Sequence, residues 1–380
     1  MERAIIVGAG GAGLLHAVTY RAAGVAIAGV FDPDLARAAA FVSITGGVVA
    51  TSLDELATFD ADFASITSPP FAHVDQAALT QRAGRIVFVE KPVATTLADL
   101  ARAEALGSCV PVVQWRAGRG LAIVRRAIDE GVFGAALSID AELAWRRDAA
   151  YFTSGHVSRA RWGCGVLLSL GIHAVDIVCL LAREPIAHVS GWLARAARLP
   201  DWVDVDTTAE IGLDFAGGSH ARVRSSIDGG DGTTRFTIDG DNRARCTLSG
   251  SETDPTSALP VWSGLDPRDG ARVRRIEREA QLAGDGATSA PLLVPFLHRA
   301  IAARRAGASP GDTPHLPSMA EVAAAHRAVL ALYDEVDRQS AAGRRPIPKI
   351  PRPPSVGSVP TSSSPAFSND ERKRASSKRP

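Results

Sequence analysis

The sequence predicts an α/β protein in which a doubly wound parallel sheet precedes a second domain containing antiparallel strands. Three observations carry this prediction. Short apolar runs alternate with helical patterns as far as about residue 134, which is typical of βαβ units. A glycine-rich turn follows the first apolar run. Beyond residue 134, segments of alternating polar and apolar residues are joined by turn signals, which indicates hairpins.

The first element is a strand, Ala4–Val7, which leads into the turn Gly8-Ala9-Gly10-Gly11-Ala12-Gly13 and then a helical pattern. In this setting Gly8 permits the tight turn, Gly10 lets a pyrophosphate approach the backbone, and Gly13 lets the helix pack on the strand. The helix N-terminus then faces the phosphates. The alternative is a glycine-rich turn without a ligand, and the strand-turn-helix context favours dinucleotide binding.

The second strand, Val25–Phe31, ends at Asp32, which lies 19 residues after Gly13. A carboxylate at this spacing binds the 2′-hydroxyl of the adenosine ribose, and its charge repels a 2′-phosphate. We therefore expect NAD rather than NADP. The alternative is an unrelated surface Asp, but the spacing from Gly13 favours the ribose contact.

The next strand, Phe63–Ile66, is followed by the loop Thr67-Ser68-Pro69-Pro70. His73 opens the following helix, and it either lines the cofactor site or only begins that helix. A strand at Ile86–Val89, a helix at about Leu97–Leu106, a last strand at Val110–Gln114 and a helix at Leu121–Glu130 complete the alternation.

Glu90, Lys91 and Pro92 follow the strand Ile86–Val89 at its carboxyl end, where ligands bind in open α/β sheets. Lys91 is the only lysine in the first 348 residues, whereas arginines are numerous. A lone lysine suggests a need for a compact ammonium group that a guanidinium cannot replace. The alternative is chance survival of one lysine, and the position after the strand favours a functional role.

The second half contains two predicted hairpins, at residues 209–225 and 236–248, and a helix around Ser169–Leu181. Helical patterns at 291–306 and 319–337 come later. From Ala341 onwards the chain holds eight prolines, eight serines and nine basic residues against two acidic ones. Such a composition cannot bury a core, so we expect residues 341–380 to be disordered.

Composition restricts the partners and the compartment. Outside the basic tail, 33 basic and 39 acidic residues leave a mildly acidic body, which gives no indication of nucleic-acid binding. The run 163–182 is apolar, but His173 and Asp176 near its middle indicate a buried helix and no membrane span. The cysteines show no CxxC spacing, and we expect buried free thiols in the cytoplasm; they are Cys109, Cys164, Cys179 and Cys246.

Together these motifs resemble the Gfo/Idh/MocA oxidoreductases over residues 1–338. The motifs are Gly8-x-Gly10-x-x-Gly13, Asp32, Glu90-Lys91-Pro92, Gly163-x-Gly165 and Gly171-x-His173-x-x-Asp176. The resemblance implies an N-terminal Rossmann domain, residues 1–118, and a C-terminal α/β domain, residues 119–340, built on a large, open, mostly antiparallel sheet. It also implies redox chemistry with NAD or NADP on sugars, polyols or related compounds, in a homodimer or homotetramer.

By the same resemblance Lys91 and His173 face the substrate beside the nicotinamide. The predicted cofactor-binding residues are Gly8, Gly10, Gly11, Ala12, Gly13, Asp32, Thr67, Ser68, Pro69, His73, Glu90 and Lys91. Two positions depart from the family pattern. Ser169 stands where many members have Asp, and Trp162 is followed by Gly163 where many members have Trp-Arg.

Helical spacing places Ser169, His173 and Asp176 on one face. His173 is the candidate base for a hydroxyl proton, and Lys91 is the candidate hydrogen-bond donor to the same oxygen. We expect Ser169, Asp176 and Arg116 to contact substrate, although Asp176 and Arg116 each have a structural ion pair as the alternative. No motif includes Trp145 or His156, which we interpret as structural, and no metal-ligand cluster is evident.

Three functions remain open from the sequence. The first is an NAD(P)-dependent oxidoreductase acting on a sugar, cyclitol or related hydroxy or keto compound. The second is an NAD-dependent glycoside hydrolase, which would oxidise the sugar only transiently. The third is a catalytically impaired NAD-binding protein, because Ser169 replaces the usual Asp. The retained Lys91 and His173 favour the first.

Overall fold

Two β-sheets organise the structure, and helices connect and cover them. The computed structural model describes residues 1–147, 151, 164–197, 199, 203–282, 291–314, 316–341 and 349–350. Residues Met1–Ile350 belong to one compact unit.

The first sheet is parallel throughout and has the order β3-β2-β1-β4-β5-β6. Its strands are β1 (Arg3–Val7), β2 (Ala26–Phe31), β3 (Val48–Val49), β4 (Phe63–Ile66), β5 (Ile86–Val89) and β6 (Cys109–Pro111). The strand order reverses between β1 and β4, and this switch point opens a crevice at the carboxyl ends of the strands. The predicted doubly wound sheet is therefore confirmed.

Helices cover both faces of this sheet. They are α1 (Gly11–Ala22), α2 (Leu35–Thr45), α3 (Leu53–Thr58), α4 (His73–Thr80), α5 (Leu97–Glu104) and α6 (Arg119–Asp129). Along β1, Ala4 and Ile6 join one apolar cluster, whereas Ile5 and Val7 join another. The predicted last strand, Val110–Gln114, is shorter than expected, because Gln114 already begins a 3-10 turn, Gln114–Ala117.

The second sheet has eight strands in the order β13-β12-β11-β7-β10-β9-β8-β14. They are β7 (Leu137–Arg146), β8 (Ile186–Ala196), β9 (Thr208–Phe215), β10 (His220–Ser226), β11 (Asp228–Gly240), β12 (Arg245–Ser251), β13 (Val261–Ser263) and β14 (Lys349–Ile350). The pairs β7–β10 and β8–β14 are parallel, and the remaining pairs are antiparallel. The predicted hairpins correspond to β9–β10 and β11–β12, and the sheet is mostly antiparallel as expected.

The described part of the second half of the chain contains four further helices. They are α7 (Ile172–Ala182), α8 (Pro267–Leu282), α9 (Leu293–Arg305) and α10 (Met319–Ala341). A π-helical turn, Leu167–Gly171, precedes α7. The sequence-based division placed α9 in the second domain, but Phe296 and Leu297 are buried in the same cluster as Ile6 and Phe88 of the first sheet. The chain therefore returns to its N-terminal sheet near its end.

The tail contains one departure from its predicted disorder. Lys349 and Ile350 pair in parallel with Arg195 and Ala196 at the edge of the second sheet, because β8 otherwise leaves backbone groups free there. Helix α10 also continues to Ala341. The rest of the predicted tail, residues 342–348 and 351–380, lies outside the described residues. Within the described ranges, no helix is long and apolar enough to cross a membrane.

Candidate active site

The glycine-rich turn between β1 and α1 adopts a backbone that larger residues would disrupt. Gly8 has a φ of 100°, and a Cβ there would lie 2.9 Å from the backbone of Thr67 and Ser68. A Cβ at Gly13 would overlap the Gly8 carbonyl oxygen, so this glycine lets α1 approach β1. At Gly10, by contrast, a Cβ would meet nothing within 4 Å. The turn is therefore tight inside and open on its outer side, as a bound pyrophosphate requires.

This turn forms one wall of a cleft of about 600 Å³. Every residue predicted to bind the cofactor lines it except Gly13, which is packed beneath; the lining comprises Gly8, Gly10, Gly11, Ala12, Asp32, Arg37, Thr67, Ser68, Pro69, Pro70, His73, Glu90, Lys91, Pro92, Cys164 and Ser169. No side chain caps the N-terminus of α1, so its first backbone amides remain available to an anionic ligand. The cleft is therefore a candidate dinucleotide site.

Asp32 is buried at the end of β2, and backbone amides fix the orientation of its carboxylate. Its Oδ2 accepts from Ala9 N and its Oδ1 accepts from Asp34 N, both at 2.9 Å. The half-exposed Arg37 guanidinium lies 3.5 Å from Oδ1. A carboxylate has about four lone-pair positions, so Asp32 keeps capacity for a ribose hydroxyl.

His73 connects the two loops that border this cleft. Its Nδ1 lies 2.8 Å from Pro92 O, and its Nε2 lies 2.8 Å from Ser68 O. Burial lowers the pKa of His73, while the two carbonyl oxygens act in the opposite direction. The side chain therefore ties the loop after β4 to the loop that carries Lys91.

Lys91 lies where the dinucleotide cleft meets a second, smaller cleft. The Lys91 Nζ donates a 2.8 Å hydrogen bond to the carbonyl oxygen of Ser169, in the π-helical turn before α7. Both clefts include Ala12, Glu90 and Lys91 in their walls. A ligand group bound near Lys91 is thus accessible from either side.

The second cleft has a volume of about 300 Å³ and is bordered by both sheets. Its walls are formed by Ala12, Leu15, Glu90, Lys91, Gln114, Trp115, Trp145, Leu170, His173, Glu252, Thr253, Pro291, Leu292 and Leu293. The structure therefore brings the two predicted catalytic residues, Lys91 and His173, to one cleft although 82 positions separate them in the sequence.

His173 is held by an aromatic ring rather than by an acid. The Trp115 ring stacks on the imidazole with centroids 4.8 Å apart. Burial, and then the charges of Lys91 and His326, hold the pKa of His173 well below its usual range. The ring is therefore uncharged near neutral pH, as a general base must be. Its Nδ1 has no hydrogen-bond partner within the described structure.

Ser169 does not replace the family's usual Asp as a partner of His173. Its hydroxyl donates to Gly165 O at 2.6 Å, within its own helix, and only its backbone carbonyl contacts Lys91. A serine hydroxyl commonly bonds backward to the i−4 carbonyl in a helix, and this bond fixes it away from the imidazole. Ser169 therefore holds Lys91 through its backbone carbonyl, and its predicted contact with substrate stays a prediction.

Asp176 and Arg116 bind each other, as the structural alternative for both residues expected, and their predicted contact with substrate stays a prediction. Arg116 Nε donates to Asp176 Oδ2 at 2.8 Å, and Nη2 donates to Oδ1 at 2.6 Å. The two side chains are only 5% and 2% exposed. Neither borders the cleft that holds His173. The buried guanidinium therefore holds both carboxylate oxygens of Asp176.

A buried chain of hydrogen bonds leads from α1 to Glu90. Tyr20 Oη lies 2.8 Å from Ser65 Oγ, which lies 2.8 Å from His16 Nδ1. His16 Nε2 lies 3.2 Å from Glu90 Oε1 and donates to it, since a carboxylate can only accept. Burial raises the pKa of Glu90, but the His16 bond and the nearby Lys91 charge outweigh it and lower the pKa overall. Glu90 is therefore ionised beside Lys91.

The start of the helix that carries His173 is fixed by a buried carboxylate, Asp206. Its Oδ2 accepts from Leu167 N at 3.1 Å, and its Oδ1 accepts from Tyr333 Oη at 2.6 Å. A Cβ at Gly165 would overlap Oδ1, which explains the glycine in the motif Gly163-x-Gly165. A carboxylate at this position also interacts favourably with the positive end of the helix dipole.

Sequence reasoning missed several residues of the smaller cleft, among them Gln114, Trp115, Trp145 and Glu252. Trp145 was predicted to be structural, but its indole borders the cleft. Gln114 follows the last strand of the first sheet, at the carboxyl edge where ligands bind, and this signal was available. His156, Arg161, Trp162 and Gly163 lie outside the described residues. Over the described part of the chain, no group of three or more potential metal ligands is present.

The four cysteines are free, as predicted. Three of them are buried, whereas Cys179 is partly exposed. Burial raises the pKa of Cys164, which borders the dinucleotide cleft, to about 12. Its thiol is therefore protonated and unreactive near neutral pH.

Comparison with solved structures shows that this fold is shared. The WlbA dehydrogenase from Bordetella pertussis, solved with NADH and UDP-GlcNAcA, is 20% identical, with a TM-score of 0.73 over 90% of this chain and 96% of that one. A levoglucosan dehydrogenase in complex with NADH and levoglucosan is 18% identical, with a TM-score of 0.67 over 88% and 97%. A putative myo-inositol dehydrogenase from Sinorhizobium meliloti is 22% identical, with a TM-score of 0.63 over 90% and 98%.

No curated protein sequence matches the chain. Two family models do match it. Residues 3–107 match the oxidoreductase family with an NAD-binding Rossmann fold, and residues 121–244 match the Gfo/Idh/MocA C-terminal domain. The first match contains the glycine-rich turn, Asp32 and Lys91, and the second contains His173. With the two-sheet fold and the adjoining clefts, these matches establish that the chain belongs to the Gfo/Idh/MocA oxidoreductase family.

Proposed function

We propose that this protein is an NAD-dependent dehydrogenase that interconverts a secondary alcohol and a ketone on a sugar, cyclitol or related compound. The observation that carries the proposal is the meeting of the two clefts at Lys91, with His173 in the wall of the smaller one. In this proposal His173 is the base and Lys91 is the cationic hydrogen-bond donor beside the dinucleotide site. Alcohol oxidation needs these two groups together.

The larger cleft fits a nicotinamide dinucleotide. The open side of Gly10 and the uncapped N-terminus of α1 would hold the pyrophosphate, and Asp32 would accept from the ribose. When bound, this cofactor supplies the hydride acceptor or donor for the reaction. The Thr67–Pro69 loop, tied to Pro92 by His73, would border the remainder of the cofactor.

The chain's own residues manage the proton and the charge on oxygen. In the oxidation direction, His173 accepts the hydroxyl proton. Burial disfavours the charged ring before the reaction, so the imidazole nitrogen is available to accept that proton. The Lys91 ammonium group donates a hydrogen bond to the same oxygen and stabilises its negative character. The stacked Trp115 ring keeps the imidazole plane fixed during this transfer. In the reduction direction the same groups act in reverse.

The structural relatives support the substrate class. Of the three relatives described above, one was solved with a sugar nucleotide and one with an anhydrosugar, and the third is named after a cyclitol. Each presents hydroxyl groups on a six-membered ring. We infer that this chain acts on a hydroxylated ring as well, and the polar atoms of the smaller cleft suit such a compound.

A panel of sugars, cyclitols and their keto forms, supplied with NAD or NADP and followed at the nicotinamide absorbance band, tests the proposal. We expect NADH to form in proportion to at least one compound. We expect His173→Asn to lower kcat by about 100-fold or more. Release of a glycoside's leaving group without net NADH would instead indicate an NAD-dependent hydrolase. Tight NADH binding without any turnover would indicate the non-catalytic alternative.

A further inference from the structure

Two side chains of the smaller cleft have polar atoms without partners. Trp145 Nε1 and Gln114 Oε1 are both shielded from solvent and make no hydrogen bond within the described structure. Leaving such an atom unpaired is unfavourable, because the atom has lost the hydrogen bonds that it would make with water. Both residues border the cleft that contains Lys91 and His173. Two unpaired atoms on residues that border one cleft indicate that a ligand completes their hydrogen bonds.

The Trp145 indole is fixed in place before any ligand binds. The Trp115 ring meets it edge-on with centroids 6.3 Å apart, and the Arg147 guanidinium lies 5.5 Å from its ring centre. Arg147 also forms an ion pair with Glu252, in the same wall. A donor held between two neighbours loses little entropy when a ligand binds, so it can discriminate between ligand hydroxyls.

The charges of the cleft do not favour an anionic ligand. Its described walls contain two carboxylates, Glu90 and Glu252, and one cation, Lys91. Arg147 is paired with Glu252, and the charge of Lys91 is offset by the neighbouring Glu90 carboxylate. The remaining walls are largely apolar or aromatic. No described arginine is left over to bind a carboxylate or phosphate here, whereas hydroxyl groups match the free donor and acceptor.

We propose that Trp145 and Gln114 determine substrate specificity by binding hydroxyl groups of one neutral sugar or cyclitol ring. Trp145 Nε1 donates to one hydroxyl oxygen, and Gln114 Oε1 accepts from another hydroxyl. A volume of about 300 Å³ lies at the lower end of the range for small-molecule sites, which suits a single ring. This inference rests on the proposed function and identifies the ligand class of the same site.

Trp145→Phe tests the donor, because it keeps an aromatic ring and removes only the indole N–H and some volume. With the best neutral substrate of the panel we expect KM to rise about 10-fold, while kcat changes less than about 3-fold. The control is Trp192→Phe, since Trp192 is partly exposed on β8 and does not border the cleft. An unchanged KM in Trp145→Phe would overturn the role of this residue.

Monodeoxy analogues of that substrate identify the contact. For the wild type, removing the hydroxyl that Trp145 binds raises KM about 10-fold, and in Trp145→Phe the same removal has almost no further effect. Equal penalties in the two proteins for every analogue would contradict the inference. Gln114→Met gives the equivalent test of the acceptor for a second hydroxyl. Gln339→Met is its control, because Gln339 is exposed near the end of α10.

Calorimetric titration of the NADH complex with neutral polyols keeps the inference separate from turnover. Binding that both Trp145→Phe and Gln114→Met weaken about 10-fold supports it even if no compound is oxidised, in which case only the proposed reaction fails. Absence of binding by every neutral ring overturns it. So does a preference for the matching uronic acid or sugar phosphate over the neutral compound by more than about 10-fold, because the described walls offer no surplus positive charge.

Discussion

At the scale of single residues, the candidate active site depends on how a few charged groups are held. Lys91 is oriented by the Ser169 carbonyl at 2.8 Å, and its neighbour Glu90 is fixed by His16. Neither partner is the Asp that many family members have four residues before the histidine. The backbone carbonyl is supplied whatever residue occupies position 169. The substitution to Ser169 therefore leaves the position of the ammonium group intact.

We predict that Lys91→Arg lowers kcat nearly as much as Lys91→Ala, by about 100-fold or more, while NADH still binds. A guanidinium is larger and planar, so it cannot occupy the position where a compact ammonium contacts both Ser169 O and a substrate oxygen. Steady-state kinetics and NADH fluorescence provide the measurements. Lys378→Arg, in the tail, serves as the matched control. A Lys91→Arg enzyme with near-normal kcat would show that charge alone suffices.

We predict that the protein binds NAD more tightly than NADP and that Asp32→Asn narrows the difference by about 10-fold or more. The substitution keeps the shape of the side chain, removes the charge that repels a 2′-phosphate, and removes one of the two carboxylates beside Arg37, which lies 3.5 Å from Asp32 and 3.1 Å from Asp34. Fluorescence titration with NADH and NADPH measures both affinities. Asp34→Asn is the control, because Asp34 also pairs with Arg37 but does not border the cleft. Tighter NADPH binding by the wild type would contradict the assignment of Asp32.

At the scale of elements, α7 connects catalysis to the core. Asp206 accepts from Leu167 N in the π-helical turn that leads into α7, the first turn of α7 presents His173, and Asp176 anchors the helix to the 3-10 turn after β6 through Arg116. The same turn carries Gln114 and Trp115, so one short segment supplies both the ring that stacks on His173 and a wall of the smaller cleft. The ion pair thereby holds the two segments in register.

We predict that Asp176→Asn lowers the free energy of unfolding by about 3 kcal/mol, because it leaves the Arg116 guanidinium buried without its bidentate partner. The KM of the folded enzyme should change by less than about 3-fold, since neither residue borders the substrate cleft. Urea denaturation and steady-state kinetics measure the two effects. Asp140→Asn, in an exposed pair with Arg222, is the control and should leave stability within error. A large rise in KM at unchanged stability would instead support the substrate contact.

At the scale of the whole molecule, the cofactor sheet and the substrate sheet share the site, and late segments of the chain hold them together. Helix α9 packs on the first sheet. In α10, His326 Nε2 accepts from Val93 N at 3.2 Å, just after the segment that carries Lys91. The site thus depends on contacts between residues more than 200 positions apart. The predicted homodimer or homotetramer remains a prediction.

We predict that stability decreases as the pH falls below about 6.5, the ordinary pKa of histidine. Burial lowers the pKa of both His173 and His326 in the folded protein. The unfolded chain therefore binds protons first, and the contribution of the uncharged rings is complete above pH 6.5 and is lost as the pH falls towards the folded pKa values. Urea denaturation at several pH values measures the slope. His326→Gln should reduce it, whereas His220→Gln, on the exposed end of β10, should not.

We predict that truncation after Ile350 leaves the melting temperature and kcat/KM unchanged. The 30 residues removed include six prolines and eight serines, a composition that cannot form a core, and they fall outside the compact unit Met1–Ile350. Truncation before Ala341 should have a larger effect, because it also removes the short strand that pairs with β8. A fall in melting temperature for the shorter truncation would show that residues 351–380 stabilise the body.

The sequence by itself determined the local features. Strands β4 and β5 were predicted with their observed bounds, because continuous apolar runs between turn signals encode a buried parallel strand. The glycine turn and Asp32 were found from spacing along one βαβ unit, where the distance in sequence fixes the distance in space. Lys91 was found as the only lysine in the first 348 residues and from its place at the carboxyl end of β5. The pairing of hairpins β9–β10 and β11–β12 followed for the same reason, since their strands are adjacent along the chain.

Only the tertiary structure decided how distant side chains combine. Arg116 and Asp176 are 60 residues apart, and whether they bind substrate or each other depends on how α7 packs against the turn after β6. Trp145 belongs to no motif, yet the pairing of β7 within the second sheet brings its indole to Trp115 and the smaller cleft. Periodicity and turn chemistry act over a few residues, whereas contacts between elements arise from packing of the whole core, which no local pattern encodes.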